Sequence, residues 1–74
     1  MTNDLCYVHG YENYDGSREY VVCDGPYQGN VYGWVETSVA LDGSCQRENY
    51  CCFEGSREAC FTYIDSQFAS KEYK

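Results

Sequence analysis

The sequence predicts a small all-β domain built from two similar halves and stapled by disulfides. Three observations carry that prediction: a six-residue motif that occurs twice, short β-type segments cut by glycine turns, and six cysteines in only 74 residues. The motif Tyr14-Asp15-Gly16-Ser17-Arg18-Glu19 returns as Phe53-Glu54-Gly55-Ser56-Arg57-Glu58, and the same offset carries Cys6 onto Cys45 and Tyr11 onto Tyr50. Two copies are too few for a solenoid. The expectation is one domain, residues 1–74, with a pseudo-twofold internal repeat whose halves run from about 5 to 41 and from 44 to 74.

Each element has a local reason. Leu5-Cys6-Tyr7-Val8 opens the first strand, and Asp15-Gly16 marks a turn. Glu19-Tyr20-Val21-Val22-Cys23 is β-branched and aromatic, as strands are, and Asp24-Gly25-Pro26 stops it. Gln28-Gly29-Asn30 makes a second turn before strands at 31–35 and 38–41, which Asp42-Gly43 closes. The second half is expected to repeat this with strands at 45–53 and 58–64. The tail carries the one helical period: Phe61, Ile64 and Phe68 fall on one face, giving a short C-terminal helix with Lys71 and Lys74 at its favourable end.

Composition explains why staples are expected. Leucine, isoleucine, valine and phenylalanine number only twelve, and a chain this short buries about 60% of its extended surface on folding. Such a core needs help, and disulfides are the usual form it takes. Zinc is the competing use of Cys6, Cys23, Cys45, Cys51, Cys52 and Cys60. It is disfavoured by the absence of a Cys-x-x-Cys pair and by a single histidine, His9. Cys6 and Cys23 lie symmetrically about the first Gly turn, and Cys45 and Cys60 about the second motif, so the favoured bridges are Cys6–Cys23 and Cys45–Cys60. Pairings of Cys6 with Cys51 or Cys52 stand as the alternative. The start Met1-Thr2-Asn3-Asp4-Leu5 has no signal-peptide pattern. A disulfide-rich chain then reads as the mature form of a secreted protein, with Met1 in place of a removed leader. It would be a monomer or a disulfide-linked dimer.

The repeated elements Tyr14-Asp15-Gly16 and Phe53-Glu54-Gly55 resemble the folded hairpins of βγ-crystallin-type domains, and Ser38 falls where that family has a late serine. The resemblance implies a two-Greek-key sandwich, closest in size and cysteine density to the killer-toxin and peptidase-inhibitor branches. The calcium-binding members of the family carry paired acidic or amide residues at positions that here hold Gly33-Trp34 and Asp65-Ser66, so no metal and no other cofactor is expected.

Several functions fall away. No stretch is apolar enough to span a membrane. A net charge of -7 with five Lys and Arg leaves no patch for nucleic acid and points to a basic partner. One imidazole gives no hydrolytic triad, no carboxylate pair stands out for glycosidase work, and Ser17-Arg18-Glu19 with Ser56-Arg57-Glu58 reads as a repeated surface turn. No enzyme is expected. Nine tyrosines and Trp34 exceed what nine aliphatic residues can cover, so some rings must face water as contact anchors. The loop from Pro26 to Trp34 has no counterpart in the second half. Tyr27, Tyr32, Trp34 and the adjacent Glu36 are therefore the candidate binding residues, with Trp34 as a core plug the competing role. The expected function is a secreted, toxin-like or inhibitor-like binding module acting on a protein or cell-surface target. An intracellular acidic mimic of nucleic acid and an extracellular coat protein are the alternatives.

Overall fold

A computed structural model describes residues 5–72, with side chains through Phe68. Met1 and Lys74 lie outside the described residues, as do the side chains of Ser70 and Lys71. Four strands are followed by one helix: β1 (Leu5–Glu12), β2 (Arg18–Asp24), β3 (Trp34–Val39), β4 (Cys45–Ser56) and α1 (Arg57–Glu72). The strands form one antiparallel sheet in the order β2-β1-β4-β3. The fold is thus mostly β, as expected. A single sheet covered by a helix stands where a two-layer sandwich was expected.

The two hairpins have the same turn. Asn13 N–H donates to Ser17 O at 2.8 Å and Gly16 N–H to Asn13 O at 2.9 Å; Ala40 to Ser44 O and Gly43 to Ala40 O repeat this at 2.8 and 3.1 Å. This is a three-residue hairpin loop ending in a residue with positive φ, where glycine carries no Cβ penalty. Gly16 and Gly43 hold φ of 88° and 93°. Asp15 and Asp42 each accept from the N–H and hydroxyl of the serine two residues on, at 2.6 to 3.0 Å. Those bonds favour the charged carboxylate and hold both groups below the usual aspartate value.

The repeat that the structure uses is therefore Asp15-Gly16-Ser17 with Asp42-Gly43-Ser44. The longer sequence repeat adopts two different structures. Tyr14–Glu19 forms a turn and enters β2, while Phe53–Glu58 ends β4 and begins α1. The strand expected at 58–64 is helix. Ser56 caps that helix, accepting from Ala59 N–H at 3.1 Å, so the second Gly-Ser pair serves a helix start instead of a hairpin.

Period 2 along β1 sorts the sheet into two faces. Cys6, Val8 and Gly10 point to the helix and are buried, while Tyr7, His9 and Tyr11 point away. The core is Cys6, Val8 and Cys60, with Tyr20, Val22, Cys52, Phe53, Tyr63 and Ile64 packed against it. Phe53 stacks on Tyr63 at 5.1 Å, and Tyr20 meets Tyr63 and Phe68 edge-on. The stripe of α1 that faces the core is thus Cys60, Tyr63 and Ile64, with Phe68, 40% exposed, touching Tyr20 at its margin. Phe61, expected on that stripe, is 52% exposed. Gly10 is required by packing, since a Cβ there would lie 2.9 Å from Cys52 Sγ and 3.0 Å from the Trp34 ring.

Both favoured bridges fail on geometry, and no two of the six cysteines stand at bonding distance. Cys6 pairs with Asp24 and Tyr7 with Cys23, so Cys6 and Cys23 face opposite sides of the sheet. Cys45 opens β4 and Cys60 lies beyond its far end, roughly 30 Å of strand away at about 3.3 Å per residue. The vicinal Cys51 and Cys52 sit in a bulge. Val8 pairs with Phe53 and Gly10 with Asn49, so three residues of β4 oppose His9 alone.

Candidate functional site

The sheet has one covered face and one face without a helix. On the uncovered side the rings form a network. His9 stacks on Tyr11 at 4.5 Å and meets Tyr50 edge-on at 5.1 Å; Tyr7 contacts Tyr27 at 5.3 Å, and Tyr27 contacts Tyr32 at 5.5 Å. Tyr7, His9 and Tyr11 come from alternate positions of β1, and Tyr50 is turned to the same side by the β4 bulge. Tyr27 and Tyr32 arrive from the loop at 25–33. This loop joins β2 to β3 at opposite edges of the sheet and crosses the uncovered face to do so.

The crossing is held at named points. Gly25 N–H bonds to Leu5 O at 2.9 Å, Tyr27 N–H to Glu54 Oε2 at 3.1 Å, and Tyr27 OH to Val31 O at 2.9 Å. The Gly25–Pro26 peptide is cis. A Cβ on Gly29 would overlap the Tyr27 ring, so glycine lets the loop fold over that tyrosine. Tyr32 is left 68% exposed at the tip.

Two carboxylates border the rings. Glu48 Oε1 lies 3.1 Å from His9 Nε2, and Glu54 holds the loop through Tyr27. Burial, then the neighbouring Cys23, pushes the Tyr7 phenol above its ordinary value; burial, then Glu48, does the same to Tyr11. At neutral pH these rings are uncharged, each with a hydroxyl that donates and accepts.

The four candidate residues from the sequence divide between the faces. Tyr27 and Tyr32 are in the aromatic network. Trp34 pairs with Asn49, which pairs with Gly10, so Trp34 lies on the helix side over Gly10. There the Arg18 guanidinium covers its ring at 4.4 Å, and Glu12 binds both Arg18 and Arg47, at 3.1 and 3.6 Å. Glu36 pairs with Arg47 on that same side and hydrogen-bonds Cys45. Trp34 therefore takes the packing role, and Glu36 stands away from the rings. Tyr7, His9, Tyr11 and Tyr50 were missed. Their signal was present in the alternation Tyr7-x-His9-x-Tyr11 with buried Cys6, Val8 and Gly10 between.

A groove of about 380 Å³ lies on the covered side beside Phe53, Thr62 and Tyr63. Cys51, Cys52 and Cys60 have thiol pKa values raised chiefly by burial, and Cys45 by its hydrogen bond to Glu36. They stay protonated at neutral pH, unlike a nucleophilic thiolate. A pocket of about 50 Å³ beside Tyr11, Glu12 and Arg47 has room for little more than water. Among the described residues no three His, Cys, Asp or Glu side chains converge on a metal position, and no helix is long and apolar enough to cross a membrane. No family model, no curated protein and no solved structure matches this chain.

Proposed function

We propose that this protein is a secreted, non-enzymatic binding module that grips a basic segment of a protein target on the helix-free face of its sheet. The observation that carries this reading is the network of Tyr7, His9, Tyr11, Tyr27, Tyr32 and Tyr50 bordered by Glu48 and Glu54. Tyrosine rings offer rigid contact area and attract cations over their faces, and the carboxylates and the net charge of -7 add the matching sign. Size and cysteine density, which resemble those of the toxin and inhibitor branches of βγ-crystallin-type domains, support the secreted, inhibitor-like class.

A nucleic-acid mimic is less well supported, because several carboxylates already have partners within the chain. Glu12 binds two arginines, Asp24 binds Arg57 at 2.8 Å, and Asp15 and Asp42 serve turns. The test is titration of an isotope-labelled protein with a ten-residue Arg-Gly peptide, against a Glu-Gly control. Chemical shifts should move at the six ring residues, weaken with salt, and fall at least tenfold in affinity in Tyr27→Ala/Tyr32→Ala. Shifts scattered over both faces, or an unchanged affinity in that double variant, would sink the reading.

A further inference from the structure

The core contains a pairing of cysteines that symmetry in the sequence did not indicate. Cys6 of β1 and Cys60 of α1 are 2% and 0% exposed and belong to one buried cluster. Cys6 stands directly opposite Gly55 of β4, and Cys60 Sγ lies 3.9 Å from the Gly55 carbonyl oxygen. Gly55 has no side chain of its own, and the position a Cβ would take there lies 3.1 Å from the Phe53 ring and 3.6 Å from Ala59 Cβ. Both sulfurs thus sit over the same point of the sheet, on elements that face each other.

The other four thiols lack such a partner. Cys23 and Cys51 both lie near Tyr7 on the uncovered face, but β1 runs between their strands, which puts their backbones roughly 10 Å apart. A bridge needs Cα atoms within about 7 Å. Cys52 packs beside Gly10 under Trp34, toward the other end of β1, and Cys45 is at the outer hairpin.

We infer that Cys6 and Cys60 form a disulfide that ties α1 to β1. The bond arises by exchange with a small-molecule disulfide such as oxidised glutathione. One cysteine thiolate attacks the reagent's S–S bond and releases a thiolate. The second cysteine then attacks the mixed disulfide and releases the other. The balance is one new S–S bond, two protons lost from the protein and one reagent disulfide reduced to two thiols. Because both sulfurs are enclosed once α1 docks, the exchange belongs to folding, before the helix closes over the sheet. The bond persists in an oxidising compartment, and it is independent of what occupies the aromatic face.

Trypsin reads the pairing directly. Cuts after Arg18, Arg47, Arg57 and Lys71 put Cys6 alone in residues 1–18 and Cys60 alone in 58–71; Cys23 with Cys45, and Cys51 with Cys52, fall in two other peptides. The reduced, unfolded chain is refolded in a glutathione redox buffer, capped with iodoacetamide and digested without reduction. Peptides 1–18 and 58–71 should appear joined, two hydrogens lighter than their sum. Capping of both Cys6 and Cys60 overturns the inference, as does linkage of either peptide to 19–47 or 48–57. A variant with Cys23, Cys45, Cys51 and Cys52 all replaced by serine gives a second reading. Its Tm should fall by roughly 10 °C or more on adding reductant, and two capped cysteines in that variant would equally overturn the pairing.

Discussion

The two faces of one sheet use the same strands for opposite ends. Toward the helix, β1 places Cys6, Val8 and Gly10, small residues that let α1 and Trp34 approach closely. Away from it, the alternate positions Tyr7, His9 and Tyr11 are large, ring-bearing and half-buried only by one another and by a loop. Small apolar side chains gain most from complete burial, whereas a tyrosine keeps a polar tip that water can solvate. The fold can therefore leave a broad aromatic surface uncovered while its stability rests on the other side. The buried core and the aromatic surface are separated by a period of 2.

Core substitutions should show the separation most strongly. Val8 has no exposure, so Val8→Ala should cost about 2 kcal/mol in urea unfolding, while Tyr32→Ala on the loop tip should cost less than about 0.5 kcal/mol. Equal losses would mean that the two faces share the work. Gly10→Ala sharpens the same contrast, because its methyl meets Cys52, Trp34 and Tyr20 at 2.9 to 3.2 Å. Overpacking there should cost about 1 to 3 kcal/mol, read as a lowered denaturation midpoint at constant slope.

The faces were unequally legible in the sequence. Strand-forming segments at Leu5–Val8 and 19–23 declared themselves, as did a helical stripe containing Ile64 and Phe68. The exact copy of Gly-Ser-Arg-Glu at 16–19 and 55–58 misled, because the same residues suit a hairpin turn and a helix cap. What decides between them is the partner strand: Asp15-Gly16-Ser17 has β1 and β2 on either side, and Ser56 has Ala59 N–H three residues on. Likewise Cys6 and Cys23 are parted by register, and register is a property of two strands, invisible in either alone. Tyr27 and Tyr32 were legible as a loop signal. Tyr7, His9, Tyr11 and Tyr50 needed the sheet to bring them beside that loop.

Smaller tests separate the ends of the covered face. Ser56→Ala removes the cap of α1 and should cost about 1 kcal/mol, with amide exchange rising first at residues 57–60. A larger loss spread over β3 would mean that the helix supports that edge strand, which its backbone does not approach among the described residues. The smallest effect is the response to acid. Asp15 and Asp42 hold their protons less tightly folded than unfolded, so their contribution is present above the ordinary aspartate value and lost as pH falls through the lowered one. Asp15→Asn and Asp42→Asn together should flatten that part of the stability–pH curve, because the contribution that acid removes is then absent at neutral pH as well.

The chain has a single tryptophan, and it lies beneath the Arg18 guanidinium on the side turned away from the tyrosine network. Its fluorescence is therefore a private reporter of folding, sensitive to whether Gly10, Arg18 and the sheet edge hold together. Tyrosine emission, by contrast, mixes both faces, because Tyr20 and Tyr63 pack under the helix while Tyr7, Tyr11, Tyr27, Tyr32 and Tyr50 lie on the other side. Excitation at the red edge of the indole band therefore reports the covered side alone, and unfolding there can be followed without a contribution from the nine phenols.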